Sequence, residues 1–160
     1  MLADIGLEAT TQQIVTSAQA VLQLVADEVP AASKLLIIGA DSFRDLAREM
    51  GFEVVSSADD KPAAVVQGFD RSVGWEQLTE GALAIRQGAK FFASNLDTSL
   101  PIERGFAVGN GSLVAAIQSA TGVEPVSAGK PSPAMFTFAA KQIGAKKPLA
   151  VGAVSYTHLR

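Results

Sequence analysis

Four short stretches hold residue types and spacings suited to chemistry. The first is "EPVSAGKPSPAMF", Glu124 to Phe136. A lone cation, Lys130, stands between a short apolar run closed by Gly129 and a helix start marked by Ser132 and Pro133. α/β proteins place anion sites in such strand-to-helix loops, because a helix N-terminus offers free N–H groups and the positive end of its dipole. A lysine there is a point charge suited to phosphate. Ser132 reads as the N-cap and Pro133 as the first helical residue, while Pro131 limits how far the loop can wander. A solvated loop lysine is the competing reading.

The other three stretches also follow or precede predicted elements. "SNLDTSLP", Ser94 to Pro101, puts Asn95 and Asp97 at a strand's carboxyl end, where open parallel sheets meet ligands. Both are also the usual residues of Asx-turns. "QGFDRSVGW" gathers Phe69, Asp70, Arg71 and Trp75 in one loop, an aromatic and ionic set able to read a small ligand. The alternative is a helix cap at Asp70 or Ser72 with Trp75 packed beneath the helix. "VGNGSL", Val108 to Leu113, is a glycine turn into a helix whose N–H groups could hold an anion. It lacks both the dinucleotide fingerprint and the Gly-Lys-Ser/Thr of a P-loop, and a tight turn with Ser112 near the cap is the favoured reading of the pattern. His158, the single histidine, has no triad around it and reads as an exposed tail residue.

Composition narrows the classes. The chain has 160 residues, about half of them apolar, enough for one domain or two small ones with a buried core. Thirteen basic and 16 acidic residues give a net charge of −3 and no basic stripe for nucleic acid. The absence of cysteine excludes disulfides and thiolate metal sites. No apolar run approaches the roughly 18–20 residues of a membrane helix, and the opening "MLADIGLEATTQQ", without a basic n-region and long apolar run, does not read as a signal peptide. A cytoplasmic protein without membrane or nucleic-acid partners is the expectation.

Elements able to position these loops alternate along the chain. Helices are predicted in "TSAQAVLQLVADEVP", capped by Thr16 or Ser17, with Val21, Leu22, Val25 and Val29 on one face, and in "DSFRDLAREMG", with Asp41 as N-cap. Others fall in "SVGWEQLTEGALAIRQG", weakened by Gly81, in "GSLVAAIQSATG" and in "SPAMFTFAAKQIG". Strands are predicted in "KLLIIG", "FEVVSS", "PAAVVQGF", "KFFASN", "EPVSAG" and "KPLAVGAV". This order argues α/β with largely parallel pairing. The opening "MLADIGL" reads as a helix tail without a preceding strand, and the last strand is followed only by "SYTHLR". The chain therefore reads as a piece of a larger domain.

In order and spacing, "IVTSAQA", "GFDRSVGWEQL", "FFASNLDTSLP", "GNGSLVAAIQSATGVEP" and "GKPSPAMF" resemble the haloacid-dehalogenase (HAD) superfamily of phosphatases. The resemblance is strongest to subfamily IIA, the NagD-like, p-nitrophenyl-phosphate and phosphoglycolate phosphatases. It implies a Rossmann-like core with a large α/β cap of the C2 type inserted into it. It divides this chain into a core remnant at residues 1–15, a cap at 16–124, and a second core remnant at 125–160 with an atypical tail. It implies Mg²⁺-dependent hydrolysis of a small phosphorylated metabolite through an aspartyl-phosphate intermediate, and it admits a homodimer formed through the cap.

By the same resemblance Lys130 matches the lysine that holds the phosphoryl oxygens. Asn95 and Asp97 match a cap segment otherwise written Thr-Asn-x-Asp. Phe69, Asp70 and Trp75 fall in the substrate-selecting loop. The family's Asp-x-Asp nucleophile motif and Ser/Thr-Asn motif have no counterpart in this sequence. Where the family writes a metal-binding aspartate after "LAVG", this chain has Ala153 and then "VSYTHLR". The magnesium ligands are thus expected to be missing from this chain, and the chain alone is expected to be inactive. The competing class is a non-enzymatic α/β module that holds an anion or nucleotide with "VGNGSL" and Lys130.

Overall fold

The computed structural model describes residues 13–130 and 132–149, together with Gly6, Glu8 and Thr10. Pro131, the "VSYTHLR" tail and, apart from Gly6, the opening "MLADIGL" lie outside the described residues.

Helix α1, Ser17–Glu28, starts on a reciprocal capping box. Thr16 Oγ1 accepts from the Gln19 amide at 3.2 Å, and Gln19 Oε1 accepts from the Thr16 amide at 2.8 Å. The expected apolar face of Val21, Leu22, Val25 and Val29 is buried. The remaining elements are β1 (Lys34–Ile38), α2 (Asp41–Glu49), β2 (Glu53–Val55), a 3₁₀ turn at Ala58–Asp60, β3 (Ala64–Gln67), α3 (Trp75–Arg86) and β4 (Lys90–Ala93). They are followed by β5 (Ser99–Ile102), β6 (Gly105–Val108), α4 (Asn110–Thr121), β7 (Val126–Ser127) and α5 (Ala134–Gln142).

Five strands form one sheet in the order β2-β1-β3-β4-β7. All four pairings are parallel, as the alternating pattern predicts. Helices cover both faces. On one side α1 and α2 bury Leu22, Val25 and Phe43 against Leu35, Ile37, Val66 and Phe92, and Met135 of α5 packs on the same cluster. On the other, α3 and α4 bury Ile85, Val114 and Ile117 against Ile38, Val65 and Phe91. Gly81, a cost to the isolated helix, has a packing reason. A Cβ there would stand 2.6 Å from Ile38 Cδ1 and 3.2 Å from Ile117 Cδ1, so a larger residue would force those side chains to shift where α3 meets the sheet and α4.

Three local expectations are corrected. Asp41 is the first helical residue of α2, not its cap, which falls on Ala40. The cap of α5 likewise falls on Pro133, one residue later than read, although Ser132 Oγ still accepts from the Ala134 amide at 3.3 Å. In the expected strand "KPLAVGAV", Lys147 to Leu149 are not in a strand, and the rest lies outside the described residues. One element was not anticipated. β5 and β6 pair antiparallel as a hairpin turning at Glu103 and Arg104, with Gly105 carrying the positive φ of 122°.

Candidate functional site

Because β1, β3, β4 and β7 run parallel, their carboxyl ends deliver four loops to one edge of the sheet. The ladder continues past the strand ends and fixes the register of the loops. Gly68 N donates to Ile38 O at 2.8 Å, Ser94 N to Gln67 O at 2.8 Å and Ala128 N to Ala93 O at 3.1 Å. The loops bearing Phe69, Asn95 and Lys130 are therefore neighbours in that order.

Lys130 lies on the turn after β7, exposed to solvent. It has no ion-pair partner among the described residues. The turn is closed by Ser132 N donating to Gly129 O at 2.9 Å, and α5 begins directly after it. Gly129 is buried, and a Cβ there would stand 2.8 Å from Asn95 Cα. Lys130 thus follows a backbone contact between two adjacent strand-end loops.

Asn95 and Asp97 occupy the loop between β4 and β5, where the sequence put them. Asn95 Oδ1 accepts from the Asp97 amide at 3.2 Å, so the Asx-turn is real. Its Nδ2 donates to Ser94 Oγ at 3.3 Å, and its carbonyl accepts from Asn110 Nδ2 at 2.8 Å. The Asp97 side chain is exposed. Asp70 organises its own loop: Oδ1 accepts from the Ser72 hydroxyl and from the Ser72 amide at 2.7 Å. Those two bonds, and more weakly the Arg44 guanidinium, hold the Asp70 carboxyl below its ordinary value of 3.8. Asp70 therefore caps a turn rather than α3, whose N-cap is Gly74. Trp75 opens α3 with 78% of its surface exposed, so it is not packed beneath the helix.

Phe69, Asp70 and Arg71 line a cleft of about 810 Å³ whose opposite wall is the β5–β6 hairpin, with Leu100, Ile102, Glu103 and Arg104. Trp75, Asn95, Asp97 and Lys130 do not line it. Sequence reasoning missed the hairpin wall. Its signal was the pair of four-residue segments "SLPI" and "GFAV" around "ER", with glycine after the turn, but Pro101 argued against a strand. Gln67 was also missed. It ends β3 fully buried, and neither side-chain polar atom finds a partner among the described residues.

The glycines of "VGNGSL" have a packing role. A Cβ on Gly109 would stand 2.2 Å from Asp97 O, and one on Gly111 2.2 Å from Leu96 O. Their amides are already used: Gly109 N donates to Thr98 O at 3.0 Å and Gly111 N to Asp97 O at 2.8 Å. Amides committed in this way cannot cradle an anion.

No three His, Asp or Glu side chains converge as a metal site among the described residues. The described residues thus do not fit a magnesium site. No described helix is long and apolar enough to cross a membrane.

The arrangement defines an open parallel α/β unit with a lysine turn and a partly apolar cleft at one sheet edge. The family model for haloacid dehalogenase-like hydrolases matches residues 1–53. D-Glycerol 3-phosphate phosphatase of Mycobacterium tuberculosis is 42% identical over 151 residues, which cover 94% of this chain and 43% of that protein. An acid sugar phosphatase of Staphylococcus saprophyticus is 38% identical over 80% of this chain and 48% of its own length. The crystal structure of the glycerol phosphate phosphatase from Mycobacterium tuberculosis in complex with magnesium superposes with a TM-score of 0.85, 43% identity, 89% of this chain and 44% of that one. A putative p-nitrophenyl phosphatase from Bacillus subtilis superposes at 0.82 with 34% identity, over 89% of this chain and 54% of that one. The chain belongs with the haloacid dehalogenase-like hydrolases, and the relatives it matches are subfamily IIA phosphatases. It spans about half the length of the relatives it matches, or less.

Proposed function

We propose that this chain is the substrate-selecting part of a Mg²⁺-dependent phosphate monoester hydrolase, with Lys130 neutralising the phosphoryl oxygens. The observation that carries the reading is the Gly129–Asn95 contact, which sets a lysine without an ion-pair partner among the described residues at the sheet edge where parallel α/β proteins meet ligands. Phosphoryl transfer depends on positioning and on charge neutralisation, and a lysine in front of the α5 N-terminus supplies part of the latter. Residues 16–124 act as the cap, and residues 1–15 and 125–160 belong to the catalytic core.

Phe69 and Asp70, on the cleft wall, contact the body of the ester. Asn95 and Asp97 shape the loop between cleft and lysine, and Trp75, standing out from α3, meets substrate from outside the cleft. The relatives' names favour a small polyol or sugar phosphate. Magnesium is proposed for the whole protein because a relative's crystal structure is a magnesium complex. When bound, the metal supplies further charge neutralisation at the phosphoryl group. Self-association through the cap belongs to the same reading, supported by the exposed Phe106 and Trp75. A single-chain mass in light scattering would count against it.

The described residues offer no metal-ligand set, so the 160-residue chain is expected to bind phosphate without hydrolysing esters. Titration with inorganic phosphate should shift the amides of Gly129, Lys130 and Ser132, and Lys130→Ala should abolish the shift. A wild-type spectrum unmoved by phosphate would sink the anion role. Turnover of p-nitrophenyl phosphate with Mg²⁺ that disappears in Lys130→Ala would sink the expected inactivity.

A further inference from the structure

We infer that Asn110 is a positioning residue that makes the cleft hairpin and the Lys130 turn one mechanical unit. The route runs through a single loop, residues 95–98. On one side of it lies the start of α4. Asn110 Nδ2 donates to Asn95 O at 2.8 Å, Gly111 N to Asp97 O at 2.8 Å, and Gly109 N to Thr98 O at 3.0 Å. Ser112 Oγ adds a second donor to Thr98 O at 2.7 Å. On the other side lies Gly129, whose missing Cβ leaves room for Asn95 Cα.

The same contacts bracket the hairpin. β5 leaves the loop at Ser99 and β6 returns at Val108, so both ends of the cleft wall are tied within a few residues of Asn110. The bonds from Gly109, Gly111 and Ser112 hold Asp97 and Thr98, the stem of the hairpin. Asn110 alone among these donors reaches Asn95, the residue that Gly129 packs against. Asn110 is 2% exposed and lies on the helix face of Val114 and Ile117; Nδ2 makes the bond to Asn95 O, while Oδ1 finds no partner among the described residues. Removing its donor frees the Asn95 carbonyl and lets the 95–98 loop drift from the position that Gly129 reads.

The test uses the 160-residue chain and the variant Asn110→Leu, which keeps the branching and the heavy-atom count of the side chain, adds no charge and removes the donor. Hydrogen exchange is followed at the Gly129 amide, which donates to Ser127 Oγ at 3.1 Å. Exchange there should accelerate together with exchange at Gly109 and Gly111, while the amides of β1 and β3 keep their protection. A general loss of packing would accelerate all of them. The phosphate affinity read at Lys130 should fall about tenfold, the loss expected from one displaced hydrogen bond. That arm rests on the anion role proposed above; the exchange arm does not. If the wild type ignores phosphate, the anion role fails and the exchange arm alone decides. Unchanged Gly129 exchange in Asn110→Leu overturns the inference in every case. Should Asn110→Leu fold poorly, Gly129→Ala drives the same link from the other side. Its Cβ must push on Asn95, and the Gly109 and Gly111 amides should respond; if they do not, the inference is wrong.

Discussion

The parallel sheet buries Val65, Val66, Phe91 and Phe92 to 3% exposure or less, whereas the β5–β6 hairpin leaves Phe106 83% and Val108 60% exposed. Both regions are apolar in sequence. The difference lies in what covers them. Two helix layers enclose the sheet, so each apolar side chain there adds burial free energy. The hairpin is tied at its stem and otherwise stands clear, so its side chains contribute little to folding and remain available to a ligand or partner. Stability and recognition are therefore carried by different strands of the same small unit.

Four measurements would break or sharpen that contrast. The largest effect is expected from Phe92→Ala in the centre of the sheet, a loss of about 3–5 kcal/mol in denaturant unfolding. A loss below about 1 kcal/mol would show that the sheet core is not the stability centre. Next comes Gly111→Ala. Its Cβ would collide with the Leu96 carbonyl and push the stem apart, costing about 1–3 kcal/mol. The exchange of the β5–β6 amides should rise with it; an unaffected hairpin would show that the stem is not its anchor.

A smaller effect concerns the opposite cleft wall. Ser72→Ala removes the hydroxyl that does most to hold the Asp70 carboxyl low, so its titration by carbon-13 NMR should move up towards 3.8. Because the folded value lies below the unfolded one, the associated stabilisation is present above the unfolded value and is lost as pH falls through the lowered one. An unchanged Asp70 titration would mean that the Ser72 bond does not form. The smallest effect is expected from Phe106→Ser, within about 0.5 kcal/mol of wild type, as for an exposed side chain. A markedly larger loss would place Phe106 in a buried contact and erase the distinction between the two regions.

The parallel core was legible because burial on both faces writes itself as unbroken apolar runs, as in "KLLII" and "AVV". The capping box at Thr16 and Gln19 was equally local and equally readable. The hairpin was not, because half-exposed strands on a two-stranded sheet carry no burial pattern and Pro101 spoke against one. For Trp75 the sequence left two readings open, ligand contact or packing beneath the helix, and its exposure removes the second. Of the candidate residues, Phe69 and Asp70 share the cleft wall. Asn95 and the turn of Lys130 share the neighbouring loops. Linking those loops required Asn110, an ordinary helix-start residue in the sequence.

The sequence by itself determined the α/β alternation, the capping box of α1 and the residue types at each strand end, since these follow from periodicity and from contacts within a few residues. Tertiary structure alone decided why the glycines are glycines. Gly81, Gly109, Gly111 and Gly129 each stand where a Cβ would strike an atom from a distant part of the chain. Such close approaches are a property of two surfaces meeting, and a single stretch of sequence records only one of them.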